Sequence, residues 1–474
     1  MNLTIYENSV HEKNGIRYYL ARNQTGQKVF VVEGKESTRW QGDWHGDLLV
    51  GPLSDVNANH LRKKFPWLRP TTLGLQTSAG TGDRLGCATP GHIAAFNQVG
   101  GGLAPIFAQQ SMRENARTLR PPRKVMDDAL WGIFQAGWNK PWAADADHLK
   151  TLEDVIKCGK SGYTFFTVDP FDYVDNEAHT ASIVMLEMKT QSLPWDSLET
   201  SLDDVTKRYL NKTILLGDLE IYFNRLDLLR ALCKYGAAIA HARRMYDQAC
   251  ACIKEQPWEM EISVDETATP TSPLEHYFIV SELNRLGVEF VSLAPRFVGR
   301  FEKGVDYIGD LAVFEQELQK HAAVQKHFGT YKLSIHSGSD KFSLYPLFAR
   351  HTEGKVHLKT AGTSYLEALR VMAIHAPDFF RDISQFSIDR YLVERASYHV
   401  SAELTNVPAL KTLSDEQLPA LLDQFDLRQV LHVSFGSVLA QFGGELLNHL
   451  DQREAEYHEV LRTHFVKHLQ PFAR

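Results

Sequence analysis

Eight short, partly apolar runs recur along this chain, each ending in polar residues and most followed by a stretch with helical periodicity. They are TTLGLQTSAG from Thr71, LAPIFAQQS from Leu103, WAADADHLKT from Trp142, YTFFTVDP from Tyr163, WEMEISVDET from Trp258, VEFVSLAPR from Val288, YKLSIHSGSD from Tyr331 and KVHLKTAGTS from Lys355. Strands that alternate with helices form a parallel sheet, and eight is the number that closes a (β/α)8 barrel.

Side-chain parity sharpens this expectation. In a barrel strand one set of alternate residues faces the helices and is apolar, while the other faces the axis and, at the carboxyl end, the active site. KLSIHSG places Leu333 and Ile335 outward, with Ser334 and His336 inward. KVHLKT places Val356 and Leu358 outward, with His357 and Lys359 inward. FFTVDP sends Phe166 and Val168 out, leaving Thr167 and Asp169 in. EISVDE sends Ile262 and Val264 out, with Ser263 and Asp265 in and Glu266 just past the strand. IFAQQS gives Ile106 and Ala108 out, with Gln109 and Ser111 in. The third run fits less well. In DADHLKT parity puts Ala146, His148 and Lys150 inward but leaves Asp145 and Asp147 on the outer face, where apolar residues belong. Either that strand is very short or a bulge shifts its phase before His148.

The flanks lie outside the eight-fold pattern. Residues 1–65 carry alternating segments such as IRYYLARN and KVFVVEG, read as a small antiparallel sheet at the barrel entrance. The catalytic barrel is expected over 66–375. It is interrupted at about 180–257 by a helical insertion that includes the long amphipathic stretch LDLLRALCKYGAAIAHARRMYDQACACI. Residues 376–474 read as a helical extension, with Ser414 and Gln417 forming a capping-box pattern.

Composition excludes several classes. The formal charge of -7 is spread along the chain and no basic run would neutralise a phosphate backbone, so nucleic acid is not an expected partner. No segment approaches about twenty apolar residues, and the N-terminus lacks the features of a signal peptide, so no membrane partner and a cytoplasmic location are expected. Five cysteines without C-x-x-C spacing suggest neither a disulfide framework nor a thiolate zinc site. Association into a homo-oligomer is left open.

The inward residues carry chemistry. His148, His336 and His357, with Asp169, Asp265 and Glu266, form a pool of nitrogen and oxygen ligands suited to a divalent ion such as Zn²⁺, Mn²⁺ or Ni²⁺. No local H-x-x-x-H or H-E-x-x-H spacing is expected to hold a metal, and barrel ligands arriving one per strand need none. The alternative for each histidine is a hydrogen-bonded polar residue, and for Asp265 and Glu266 a helix cap. Lys150 and Lys359, if inward, sit beside other polar groups and a cation, where an ammonium pKa can fall far enough for proton transfer; a structural ion pair is the competing role. SAGTGDRLGCATPGH lacks the full dinucleotide spacing and reads as a loop presenting Asp83, Arg84 and His92 to the mouth. HSGSDK is no P-loop, but Ser337, Ser339 and Lys341 form a donor set for a carboxylate or sugar hydroxyls. Arg113 and Arg117 follow the second strand and suit bidentate anchoring of an acid.

The blocks GDRLGCATPGH, FAQQSMRENARTLRPP, ADADHLKT, FFTVDPFDYVDNEA, SVDETATPTSPLEHYFI, SIHSGSDKFSLYP and VHLKTAGTSYLEALR together resemble the tagaturonate epimerase family, across about residues 82–370. The resemblance implies a divalent-metal-dependent isomerase that interconverts D-tagaturonate and D-fructuronate, with D-fructose and D-tagatose as a second pair. The inverted carbon then lies β to the ketone, which simple enolisation cannot reach and a retro-aldol cleavage can. On this reading His148, His336, His357 and Glu266 are the metal candidates, with Asp265 as substitute. Asp169, Lys359, Glu266 and Lys150 are the catalytic candidates, and Ser111, Gln109, Thr167, Arg84, Arg113 and Lys341 face the substrate. A metal-dependent ketose aldolase would use the same residues, and a non-catalytic sugar-binding protein is the remaining alternative.

Overall fold

The computed structural model describes residues 2–336, 340–360 and 362–473. All eight runs form strands: β1 (Ser78–Gly80), β2 (Ala104–Ser111), β3 (Ala143–Leu149), β4 (Phe165–Val168), β5 (Glu259–Val264), β6 (Ser292–Pro295), β7 (Lys332–His336) and β8 (Val356–Lys359). Each pairs in parallel with its neighbours in sequence, and β8 pairs with β1, His357 opposite Ser78, to close the barrel. Closure leaves no open sheet edge, and it aims the carboxyl ends of all eight strands at one rim.

Helices follow most strands, among them Thr89–Val99 after β1, Leu152–Ser161 after β3, Pro273–Arg285 after β5 and Thr363–His375 after β8. The long amphipathic stretch is one helix, Arg225–Cys252, which returns the chain from β4 to β5 behind a set of short helices and a small hairpin. Two of the apolar cores involve the barrel strands. The large one joins strand outer faces to the helices, while a small one, Leu73, Ala104, Ile106, Ala143 and Phe165, plugs the amino-terminal end of the barrel interior.

Two parity assignments change. Ile106 belongs to the interior plug rather than the outer face, because the β2 register shifts between Ile106 and Ala108, so that Phe107 and Ala108 both join the outer core. In β3 the shift comes at His148, whose φ of 52° is left-handed, a conformation that costs a non-glycine residue of order 1–3 kcal/mol. Ala144 and Ala146 therefore pack outward, and Asp145 and Asp147, which strict alternation sends outward, point in with His148.

The N-terminal residues form a six-stranded antiparallel sheet. It packs on the helix Pro122–Ala136 rather than at the entrance, and no residue before Arg84 lines the mouth. The entrance walls come instead from the C-terminal extension. Its last long helix, Glu454–Leu469, packs on Thr89–Val99, where a Cβ on Gly91 would lie 2.7 Å from Leu461. Among the described residues no single helix is long and apolar enough to cross a membrane; Phe425–Val433 and Phe435–Gln452 approach that length only as a pair bent by 77°.

Candidate active site

A cavity of about 480 Å³, counted with its open mouth, lies over the carboxyl ends of the strands. Its floor is built by β2, β3, β4, β5, β7 and β8. Lys359 is the centre of that floor. Its ammonium lies 3.0 Å from Asp145, 2.8 Å from Asp147 and 2.8 Å from Glu261, and it also donates to Thr167. Burial opposes its charge, but three carboxylates outweigh burial and hold its pKa above the ordinary lysine value. The fall in pKa expected for Lys359 therefore does not occur: it is a fixed ammonium and a hydrogen-bond donor, not a base. Of the three acids, Asp145 is pushed up by burial, with Asp147 and Glu261 adding to it, whereas Glu261 is held low, against burial, by Lys359 and His336.

Above this floor three ligand atoms converge. Nε2 of His148 lies 3.6 Å and Nδ1 of His336 lies 3.4 Å from Oδ1 of Asp265. All three atoms fall within 4.8 Å of one another. The other nitrogen of each ring is held by a carboxylate, Nδ1 of His148 by Asp147 at 2.7 Å and Nε2 of His336 by Glu261 at 2.7 Å. That arrangement fixes the tautomer of a metal-binding histidine and turns the free lone pair to the common point. His148, Asp265 and His336 thus fit a divalent ion, with coordination positions left open toward the cavity.

The remaining candidates divide. Arg84, Ser111, Arg113, Glu266 and Lys359 line the cavity with His148 and His336. Arg84 is paired to Glu114 at 2.7 Å, and a Cβ on Gly362 would press to 2.8 Å from its guanidinium, so the left-handed glycine after β8 makes room for it. Ser111 caps the helix Met112–Thr118, and Arg113 lies 3.7 Å from Glu266. Gln109 and Thr167 sit in the floor, bonded to Asp147 and Asp145.

His357 is not in the ligand group. It lies one layer deeper, Nδ1 2.9 Å from the Ser78 hydroxyl and its ring 5.2 Å from Phe165, and burial keeps it neutral. Lys150 is turned from the cavity to Asp169 and Asp172, at 3.7 and 3.6 Å, the ion-pair alternative. Asp169 also stands outside the cavity lining; burial raises its pKa to about 6. Lys341 donates to the carbonyls of Glu302 and Val305, and burial lowers its pKa to about 7, so it is a buried strut rather than a substrate donor. Asp83 accepts the backbone N–H groups of Leu85, Gly86 and Ala88, and His92 is buried against Ser364 and Phe465, so neither reaches the mouth. Ser337 and Ser339 lie outside the described residues.

The cavity also contains residues that strand parity did not supply: Glu114, Asp147, Lys303, Tyr398 and His432. Asp147 was hidden by the bulge at His148. Lys303, Tyr398 and His432 come from a loop and from the extension, where no period marks the inward side.

Fold and site together define a (β/α)8-barrel enzyme whose carboxyl rim carries a His-Asp-His set above a buried ammonium. Residues 6–472 match the family model described as tagaturonate epimerase. The chain is 42% identical over 475 residues to the tagaturonate/fructuronate epimerase of Thermotoga maritima, covering 98% of this chain and 96% of that protein. Crystal structures of the fructuronate-tagaturonate epimerase of Cohnella laeviribosi, native and with glycerol, superpose with a TM-score of 0.94 at 38% identity over 99% of this chain and 96% of theirs. The chain belongs to the tagaturonate epimerase family, and it is an isomerase of the epimerase class.

Proposed function

We propose that the chain interconverts D-tagaturonate and D-fructuronate by metal-dependent retro-aldol and aldol steps. The observation that carries the reading is the convergence of His148, Asp265 and His336 at the mouth, with the far nitrogen of each ring on a carboxylate. The names of the relatives supply the substrate pair. A divalent ion held by these three residues would polarise the substrate ketone and offset the negative charge that develops beside it.

The chain's own residues account for the rest. Glu266 lines the cavity 3.7 Å from Arg113, so it is the carboxylate placed to take the proton from the hydroxyl on the inverting carbon. The electron pair left on that oxygen forms the aldehyde as the adjacent carbon–carbon bond breaks, and the bonding pair passes to the ketone side as an enediolate. The fixed Lys359 ammonium stabilises negative charge from the floor. Rotation of the aldehyde and re-formation of the bond on its other face, with return of the proton from Glu266, gives the epimer. Tyr398 and His432 help wall off the cavity, holding the fragment in place between cleavage and closure.

Recognition of the substrate carboxylate falls to Lys303. Arg84 is committed to Glu114 and Arg113 faces Glu266, whereas Lys303 has no ion-pair partner among the described residues. Fructose and tagatose, which lack the carboxylate, are expected as weaker substrates. The five cysteines, none of them paired, support a reducing cytoplasmic setting.

The test is to strip the protein with chelator, restore Mn²⁺, Zn²⁺ or Ni²⁺ separately, and follow fructuronate and fructose by chromatography. Metal-restored formation of the epimer is expected, faster for the acid. Accumulation of a trappable aldehyde fragment without epimer would replace the reading with an aldolase.

A further inference from the structure

We propose that the protein binds a second divalent cation, of the Zn²⁺ class, in a closed site made by Asp340, His464 and His468. The two histidines lie one turn apart on the helix Glu454–Leu469, and Asp340 lies on the carboxyl side of β7 in the chain. Nε2 of His464 and Nε2 of His468 are each 3.1 Å from Oδ1 of Asp340 and 3.2 Å from each other. All three side chains are buried. Ligands held about 2.0–2.2 Å from a tetrahedral Zn²⁺ stand about 3.3–3.6 Å apart, so the triangle needs to open by only a few tenths of an ångström to become part of a coordination shell.

Hydrogen bonds alone satisfy the triangle poorly. Nδ1 of His464 faces the Glu367 carboxylate at 3.4 Å and Nδ1 of His468 faces the Tyr345 hydroxyl at 2.9 Å. If these outer nitrogens carry the protons, both Nε2 lone pairs and a carboxylate oxygen point at one another. If the inner nitrogens carry them instead, His464 turns a bare lone pair to Glu367, and if only His468 carries its proton inward the Nε2 lone pair of His464 still faces Oδ1 of Asp340. A cation at the centre resolves both conflicts, and the outer partners become the second-sphere groups that orient ligating histidines. Charge balance does not forbid it. Arg428 takes the other oxygen of Asp340 and lies 3.7 Å from Glu367, while Arg370 pairs with Glu367 and Asp423, so three carboxylates face two guanidinium groups around the site.

The site would join five parts of the fold: the chain at Asp340, the helices Tyr345–His351 and Thr363–His375, the helix Phe425–Val433 through Arg428, and the terminal helix. With all three ligands buried it suits a structural rather than a catalytic ion, and it ties the extension that supplies Tyr398 and His432 to the barrel.

The test counts metal in the chelator-stripped full chain after Zn²⁺ titration and dialysis. Two equivalents per chain are expected, one surviving in the His148→Leu/His336→Leu variant and lost when His464→Gln and His468→Gln are added. Should the added changes prevent folding, the first variant loaded with Co²⁺ decides: an intense visible absorption of four-coordinate cobalt is expected, and the weak spectrum of the hexaaquo ion would overturn the site. A wild type that holds one equivalent, lost with the rim pair, also overturns it. One equivalent that follows His464 and His468 instead would keep this site and sink the rim as a metal centre. No bound metal in any form would remove both.

Discussion

The molecule assembles two Asp-His-His clusters with nearly the same ligand chemistry and opposite surroundings. At the rim, His148, Asp265 and His336 arrive from three different strands, are partly exposed, and open onto a cavity. Beneath the C-terminal extension, Asp340, His464 and His468 are buried on every side, and two of the three come from one helix turn. Ligand identity is therefore not what separates a reactive cluster from a structural one. Access does: an open position admits substrate oxygens, while a closed shell can contribute only to stability.

The strongest break of this comparison is a crossed pair of double variants. His148→Leu with His336→Leu should lower epimerisation by at least about 10³-fold, since Lewis-acid stabilisation amounts to several kcal/mol at about 1.4 kcal/mol per tenfold, with little change in thermal midpoint. His464→Gln with His468→Gln should do the reverse, lowering the midpoint while activity per folded molecule stays within a few-fold. Turnover and melting of both variants, measured side by side, check this; equal losses of both properties in both variants would erase the distinction.

Next in size is Lys359. Replacing it by Met leaves Asp145, Asp147 and Glu261 buried around no positive charge, and breaking a buried ionic set in this way costs about 3–5 kcal/mol. Denaturant unfolding should register that loss. Its size would show that the active floor, unlike the ligand atoms above it, is also a stability element. A loss below about 1 kcal/mol would mean that the acids protonate freely and that the ammonium is not fixed.

How far the two clusters could be read from sequence differs as sharply as their exposure. The barrel was legible because β4, β5, β7 and β8 alternate strictly, so that Thr167, Asp265, His336 and Lys359 fall inward by counting in twos. Counting fails where the backbone leaves the period. The left-handed φ at His148 turned Asp145 and Asp147 inward against the pattern, and the shift in β2 moved Ile106 to the interior. Inwardness also says nothing of depth: His357 faces the axis as His336 does, but it sits a layer below the ligands. His464 and His468 carried the reverse signal, a local H-x-x-x-H spacing whose partner Asp340 is brought near only by tertiary packing. The expectation that the chain offers no such spacing is therefore wrong at His464 and His468.

A smaller effect concerns the cavity wall. Lys303→Met should reduce kcat/KM for fructuronate by roughly 10- to 100-fold, the loss of one charge-assisted hydrogen bond worth about 1.5–3 kcal/mol, chiefly through KM. Lys303→Arg should recover most of it. Steady-state kinetics on the acid and on fructose separate the outcomes, because a role in carboxylate recognition leaves the neutral sugar unaffected, whereas a general disturbance of the loop lowers both.

The smallest expected effect is the most informative about depth. His357→Gln keeps a donor and an acceptor near Ser78 and removes a ring that points its other nitrogen at no partner among the described residues. If only the atoms that meet above Lys359 bind metal, this variant retains the metal content of the wild type and most of its activity. Metal loss on elemental analysis would instead place His357 in the ligand set, and it would require the barrel interior to rearrange when the ion enters, since the ring now lies under the layer of carboxylates that the ammonium holds together.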